Sequence, residues 1–230
     1  MSTKEKLIKE VNQALKNSTI LRKNENFIDR ISYMKDNMKF NKAFKYNKQK
    51  KLDYFLSKFI DYRDNWIDQP NGCVEKKLLS NDLERNNITP LSIDIEVSAF
   101  CDLACPFCFR EAIVTPDKII DEKFCFKLID QASEMGVPSI KFNWRGEPLL
   151  HPKISKFIDY AKKRGIIDTI INTNATHLTE DKSKELINSG LDYIIYSFDG
   201  GTKKTYEKMR PGRFKKNKFE TVYANIKKFK

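Results

Sequence analysis

Residues 101–110 read CDLACPFCFR, and they follow an alternating apolar run, Leu91 to Val97 (LSIDIEV), that predicts a β-strand. Cys101, Cys105 and Cys108 therefore stand within eight residues of one another on a loop at the carboxyl end of a strand. Thiolates this close in sequence can meet at one metal centre, as they do in iron–sulfur loops. A cubane cluster has about four irons, so three cysteines leave one iron without a protein ligand. An open coordination position is where substrate or cofactor chemistry takes place, by the logic that separates catalytic from structural zinc sites. On the loop alone two other readings stay open: a zinc site completed by His151, His177 or Cys125, and three cysteines that are merely buried.

The rest of the composition bounds the setting. The chain has 230 residues, 40% of them hydrophobic, enough for one or two packed domains. It has no apolar run of about 18 residues to span a membrane. The opening, MSTKEKLIKE, lacks the apolar centre of a secretory leader, so a cytoplasmic location is expected. Five cysteines, odd in number and clustered, argue for a reducing compartment rather than a disulfide framework. Cys73 and Cys125 stand apart and read as structural thiols. The net charge is +12, but lysines are scattered among acids and the run Lys48 to Lys51 is broken by Gln49. That pattern reads as solvated helix faces, so neither a nucleic acid nor a membrane is expected as a partner.

Upstream of the loop, residues 1–88 form a Lys- and Asn-rich region that reads as helices. Leu7, Ile8, Val11 and Leu15 recur at helical spacing, as do Phe27, Ile28, Ile31, Met34 and Met38. A third stripe, Leu52, Phe55, Leu56, Phe59, Ile60 and Tyr62, is closed by a turn signal at Pro70-Asn71-Gly72. Asn81 to Pro90 reads as a linker, giving a boundary between 1–88 and 89–230. Downstream, strand and helix alternate. Strands are predicted at Leu91–Val97, Ser139–Trp144, Asp168–Thr173 and Tyr193–Phe198. Helices are predicted at Asp121–Met135, with Phe124, Leu128, Ile129 and Ala132 facing inward, and at Pro152–Arg164, Thr179–Ser189, Thr202–Met209 and Lys218–Phe229. Asp121 and Thr179 are the expected caps, and Gly136, Gly165 and Gly190 the expected stops. Alternation of this kind implies parallel βα units with right-handed crossovers.

Three further motifs fall at strand ends, where a βα barrel carries its functional residues. In FNWRGEPLLHP, Phe142 to Pro152, Gly146 permits close backbone approach and Glu147 offers a carboxylate to a cation. In INTNAT, Asn172 and Asn174 are polar groups at the rim, Asn174 the nearer to it. In YSFDGGTKKTYEKMR, Tyr196 to Arg210, Ser197 and Asp199 close the fourth strand, and Arg210 could grip a carboxylate bidentately. Each has an ordinary alternative: a solvated Glu, asparagines in a helix-entry turn, a cation at a helix end and, for Asp199, a turn.

In combination these motifs resemble the radical SAM superfamily, whose hallmark is a CxxxCxxC loop after the first barrel strand. The resemblance covers residues 91–230 and implies an α/β fold: a partial (βα) barrel of about four parallel units, preceded by the helical N-terminal region. It implies that Cys101, Cys105 and Cys108 bind a [4Fe–4S] cluster, and that the amino and carboxylate groups of S-adenosylmethionine (SAM) chelate its remaining iron. One electron then cleaves SAM to a 5′-deoxyadenosyl radical, which implies an electron donor of flavodoxin or ferredoxin type. Phe107 would lie beside the adenine, Glu147 of the GGEP-like motif on the SAM amino group, Asn174 in the SAM pocket, and Ser197 with Arg210 on the SAM carboxylate. The family's first glycine is Arg145 here, and WRGEP resembles the subgroup with SPASM or twitch extensions, whose substrates are peptides, protein side chains or sugar derivatives. The family core has six units; the chain stops at Lys230, in the helix after strand four. The competing readings are a metal-binding module for RNA or a partner, and an inactive truncated relative.

Overall fold

The computed structural model describes residues 50–77, 88–112 and 116–229. It falls into two compact units, Met1–Leu91 and Ser92–Lys230. The first two predicted helical stripes, and most of the linker, lie outside the described residues.

In the first unit, helix α1 spans Lys50–Glu75. Phe59 and Tyr62, two members of the predicted third stripe, are buried. The expected turn at Pro70-Asn71-Gly72 does not form, and the helix runs through it. A proline's φ near −65° suits a helix, and what it removes is one backbone donor. The chain turns later, at Lys77, which takes the left-handed conformation at φ 52°.

The second unit is a four-stranded parallel sheet in the order β1-β2-β3-β4. The strands are β1 Ser92–Asp94, β2 Ser139–Lys141, β3 Asp168–Thr173 and β4 Tyr193–Tyr196. Helices α2 Glu122–Glu134, α3 Ile154–Lys163, α4 Glu180–Ser189, α5 Lys203–Met209 and α6 Phe219–Lys228 alternate with them. In register, Ile140 stands beside Ile93 and Thr169, and Ile171 beside Ile194. Burial of apolar surface is the main source of stability here. The core joins Ile140 and Ile171 to Cys125 and Ile129 of α2, Phe157 and Ile158 of α3, and Leu186 of α4. The caps act as predicted: Asp121 accepts from the Phe124 amide and Thr179 from the Lys182 amide, and α4 stops at left-handed Gly190.

Three strands are shorter than predicted because the chain leaves the ladder for the site. Beyond Asp94, Ile95 N keeps one bond to Lys141 O at 2.8 Å, and from Val97 the chain pairs with residues 118–120 instead, through Ile120 N to Val97 O at 3.0 Å and Ala99 N to Lys118 O at 2.8 Å. Beyond Lys141, Asn143 Oδ1 takes the Asn172 amide at 2.8 Å, a side chain standing in for a strand neighbour. Beyond Tyr196, Ser197 keeps one ladder bond, to Thr173 O at 2.8 Å. Of the predicted helical repeat in α2, Ile129 and Ala132 are buried and Leu128 packs against the core, whereas Phe124 is exposed and Cys125 is fully buried. Burial pushes the Cys125 thiol up to about 12, which suits an inert structural residue.

Candidate metal and cofactor site

Four strand ends converge on residues 98–108. The GEP turn sits directly beneath that loop. Gly146 has φ 66°, and a Cβ there would lie 2.1 Å from Ser98 O and 2.6 Å from Phe100 O. Glu147 N donates to Phe100 O at 2.7 Å. The close approach that Gly146 permits is thus between two stretches of this chain. Arg145, at the position of the family's first glycine, folds back on Glu96. Its backbone N, Nε and Nη2 donate to the Glu96 carboxylate at 3.0, 2.7 and 2.7 Å.

Glu147 is buried, and its carboxylate accepts from Leu149 N at 3.0 Å, Thr173 Oγ1 at 2.7 Å and Asn174 N at 2.7 Å. None of these donors carries a charge. Burial therefore dominates and pushes its pKa to about 7. Asn174 continues the chain of contacts: Nδ2 lies 2.8 Å from Asp102 Oδ1 and 3.9 Å from Cys101 Sγ. Asp102 also accepts from Thr176 Oγ1 at 2.7 Å and faces His177 Nε2 at 3.4 Å. Burial pushes its carboxyl up, but the bonds from His177, Thr176 and Asn174 outweigh it and hold the pKa at about 2. The Asp102 contact raises the pKa of His177 in turn.

A second group surrounds Cys105. Arg210 Nη1 lies 3.6 Å from Cys105 Sγ, and its guanidinium carbon is 5.4 Å from the centre of the half-exposed Phe107 ring. Asp199 pairs with Arg210 Nη2, an interaction that the sequence reading as a turn residue missed. Arg210 Nε is buried and has no hydrogen-bond partner. Ser197 stands one residue past β4, half-buried, bonded through its backbone to Thr173.

All three loop thiols are free, as are Cys73 and Cys125. Burial raises the pKa of Cys101 to about 12 and also raises that of Cys105. Among the described residues no three His, Cys, Asp or Glu side chains already form a metal-holding group. His151 is turned elsewhere: Nε2 meets Ile120 O at 3.2 Å and Nδ1 accepts from Lys153 N at 3.1 Å. His177 faces Asp102, and Cys125 lies in the core. Of the residues considered as completing a zinc trio, both histidines thus have other partners and Cys125 is buried in the core.

The Radical SAM superfamily profile matches residues 95–230, more than half of the chain. The chain belongs to the radical SAM superfamily. Proteins of this superfamily use a [4Fe–4S] cluster and SAM. Among curated relatives, the GTP 3',8-cyclase of Chlorobaculum tepidum is 36% identical over 107 residues, 46% of this chain and 32% of its own. The tungsten-containing aldehyde ferredoxin oxidoreductase cofactor-modifying protein of Pyrococcus furiosus is 32% identical over 46% of this chain and 30% of its own. The probable GTP 3',8-cyclase of Methanothermobacter marburgensis is 32% identical over 61% of this chain and 45% of its own. The chain thus spans less than half the length of the curated relatives it matches. Two solved structures share the fold. Streptococcus suis SuiB, bound to precursor peptide SuiA, aligns with a TM-score of 0.53 at 23% identity, over 65% of this chain and 33% of its own. anSMEcpe with bound AdoMet aligns at 0.52 and 22%, over 61% and 40%. The partial parallel barrel expected from the motifs is the observed fold.

The residues present fit the superfamily's cofactors. Three free thiols lie on one loop beside the strand ends, the donor chemistry an iron–sulfur cluster requires. A partly buried guanidinium with a buried, unpartnered Nε stands against Cys105, where an anionic group could accept from it. No helix among the described residues is long and apolar enough to cross a membrane.

Proposed function

We propose that this chain carries the cluster and SAM site of a radical SAM enzyme, with Cys101, Cys105 and Cys108 as the cluster ligands. The observation that carries this reading is Arg210, drawn across 105 residues of sequence to Cys105 Sγ with Nε buried and unpartnered. When bound, the cluster supplies the electron that cleaves SAM to methionine and a 5′-deoxyadenosyl radical. The chain's own residues do the binding. Arg210, oriented by Asp199 and lying over Phe107, offers Nε to the SAM carboxylate, with the Ser197 hydroxyl at the same strand end. Phe107, half exposed, offers a ring face to the adenine.

Glu147 and Asn174 act from beneath. Three neutral donors leave the Glu147 carboxylate without a cation, and the SAM ammonium would supply one. Asn174 fixes the first cysteine by its amide, and Gly146 lets the carboxylate's turn reach the loop. A flavodoxin- or ferredoxin-type protein is the proposed electron donor. The named relatives include a nucleotide cyclase and a cofactor-modifying protein, and WRGEP points to the SPASM or twitch group. The substrate class proposed is therefore the one that group implies: a peptide, a protein side chain or a sugar derivative.

The test is anaerobic reconstitution with iron and sulfide. One [4Fe–4S] cluster per chain, with an absorbance and electron paramagnetic resonance signal that change on adding SAM, is expected. Full iron and sulfide in the Cys101→Ala, Cys105→Ala, Cys108→Ala triple variant would sink the ligand assignment. Stoichiometric zinc with no SAM binding would support the metal-binding module instead.

A further inference from the structure

The site as proposed has no use for Asp102, yet Asp102 is the most heavily bonded residue of the loop. It directly follows Cys101, and its side chain meets Asn174, Thr176 and His177 from the end of β3. On its other side the backbone is held by residues 211–213. Asp102 O accepts from Arg213 N at 2.7 Å, Ala104 N donates to Pro211 O at 2.9 Å, and Leu103 bridges Gly212. Both clamps rest on special backbone. Ala175, between the two donors Asn174 and Thr176, is left-handed at φ 59° and fully buried, its carbonyl held by Asn225 Nδ2 at 2.9 Å. A non-glycine residue holds that strained conformation only where its surroundings impose it. Gly212 cannot be replaced, because a Cβ there would lie 1.7 Å from Lys215 O.

We propose that Asp102 is a positioning residue for the cluster: its side chain ties the loop to the β3 rim and so sets where Cys101 stands before iron arrives. This rests on the reading of Cys101 as a cluster ligand. The assignment has a second consequence, because the carboxylate is a fixed negative charge next to that ligand. A neighbouring negative charge disfavours adding an electron to an iron–sulfur centre. Asp102 therefore holds the cluster's reduction potential down.

The experiment has two arms. In anaerobic apoprotein, amide hydrogen exchange is compared among wild type, Asp102→Ala and Asp102→Asn. Asp102→Ala should speed exchange of amides 101–105 by about tenfold or more while α3 stays protected, and Asp102→Asn should restore most of the protection. In reconstituted protein, Asp102→Asn should retain full iron and sulfide but titrate at a more positive midpoint potential. A merely structural role would move neither the loop alone nor the potential. Unchanged exchange in Asp102→Ala, or an unchanged potential in a fully loaded Asp102→Asn, overturns the inference. If Asp102→Ala does not fold, Thr176→Val combined with His177→Gln removes two of the three side-chain contacts, with the same exchange result expected. A wild-type chain that takes up no cluster would overturn the proposed function, and the exchange arm would still decide the tether.

Discussion

Glu147, the proposed partner of the SAM ammonium, is a side chain whose burial opposes folding at neutral pH. Its pKa is raised from 4.5 to about 7, chiefly by burial. A carboxyl raised in the folded state contributes stability in full below its unfolded pKa and loses it as pH rises through the folded one. Between pH 4.5 and 7 that loss is of order 3 kcal/mol, at about 1.4 kcal/mol per pH unit. Glu147→Gln, which cannot ionise, should flatten this part of the stability–pH profile in urea titrations of the apoprotein. An equal slope in both proteins would refute it. The same variant, with its cluster intact, should bind SAM roughly ten- to a hundredfold more weakly by calorimetry. Wild-type affinity should rise as pH passes 7, where Glu147 ionises. Two smaller residues test the backbone. Gly146→Ala has no room, with Ser98 O 2.1 Å from its new methyl, and should cost at least about 2 kcal/mol in chemical denaturation. Ala175→Gly relieves the strain at φ 59° but removes a fully buried methyl and adds unfolded-chain entropy, so chemical denaturation should show a net change below about 1 kcal/mol.

At the scale of elements, the strands divide the legible from the illegible. Asp168–Thr173 is six residues long and paired on both sides, and its predicted bounds are the observed ones. The run LSIDIEV alternates apolar and polar residues throughout, but only Ser92–Asp94 enters the ladder. Extended backbone looks the same in sequence whether its partner is β2 or residues 118–120. The motifs were legible as motifs, and the partners that hold them were not. Asp102 lay in plain view inside CDLAC, but nothing local says that it meets Thr176. Arg145 looked like a departure from a glycine pattern, and the structure gives it Glu96 as a partner. The bond from Arg145, the largest influence on Glu96, lowers its pKa, so this clasp stabilises above the ordinary carboxylate pKa and is lost as pH falls. Arg145→Gly should lower the urea midpoint at pH 7, and the gap from wild type should close as the solution is acidified towards pH 3. A gap that stayed constant would mean that Arg145 acts by packing alone.

Over the whole second unit, iron loading at the proposed ligands Cys101 and Cys105 would have to act against their raised thiol pKa values. Ligation requires thiolates and so releases protons. Cluster assembly should therefore be faster and more complete at pH 8.5 than at pH 6.5, followed by absorbance at fixed iron and sulfide. Equal yields at both would show that proton release does not limit loading. A different consequence comes from the pairing of residues 102–104 with residues 211–213. Contacts such as Arg213 to Leu103 close a loop of 110 residues, while α3 and α4 pack on neighbours nearby in sequence. Contacts of high sequence separation are made late, because the chain entropy of a long loop must be lost before they return anything. The cysteine loop, though it precedes three of the four strands, is then among the last parts of the sheet's rim to set during folding. A ribosome would have to release the segment around residue 213 before the loop could close, so metal capture by the proposed ligands would be a late event in biosynthesis rather than a nucleus for it.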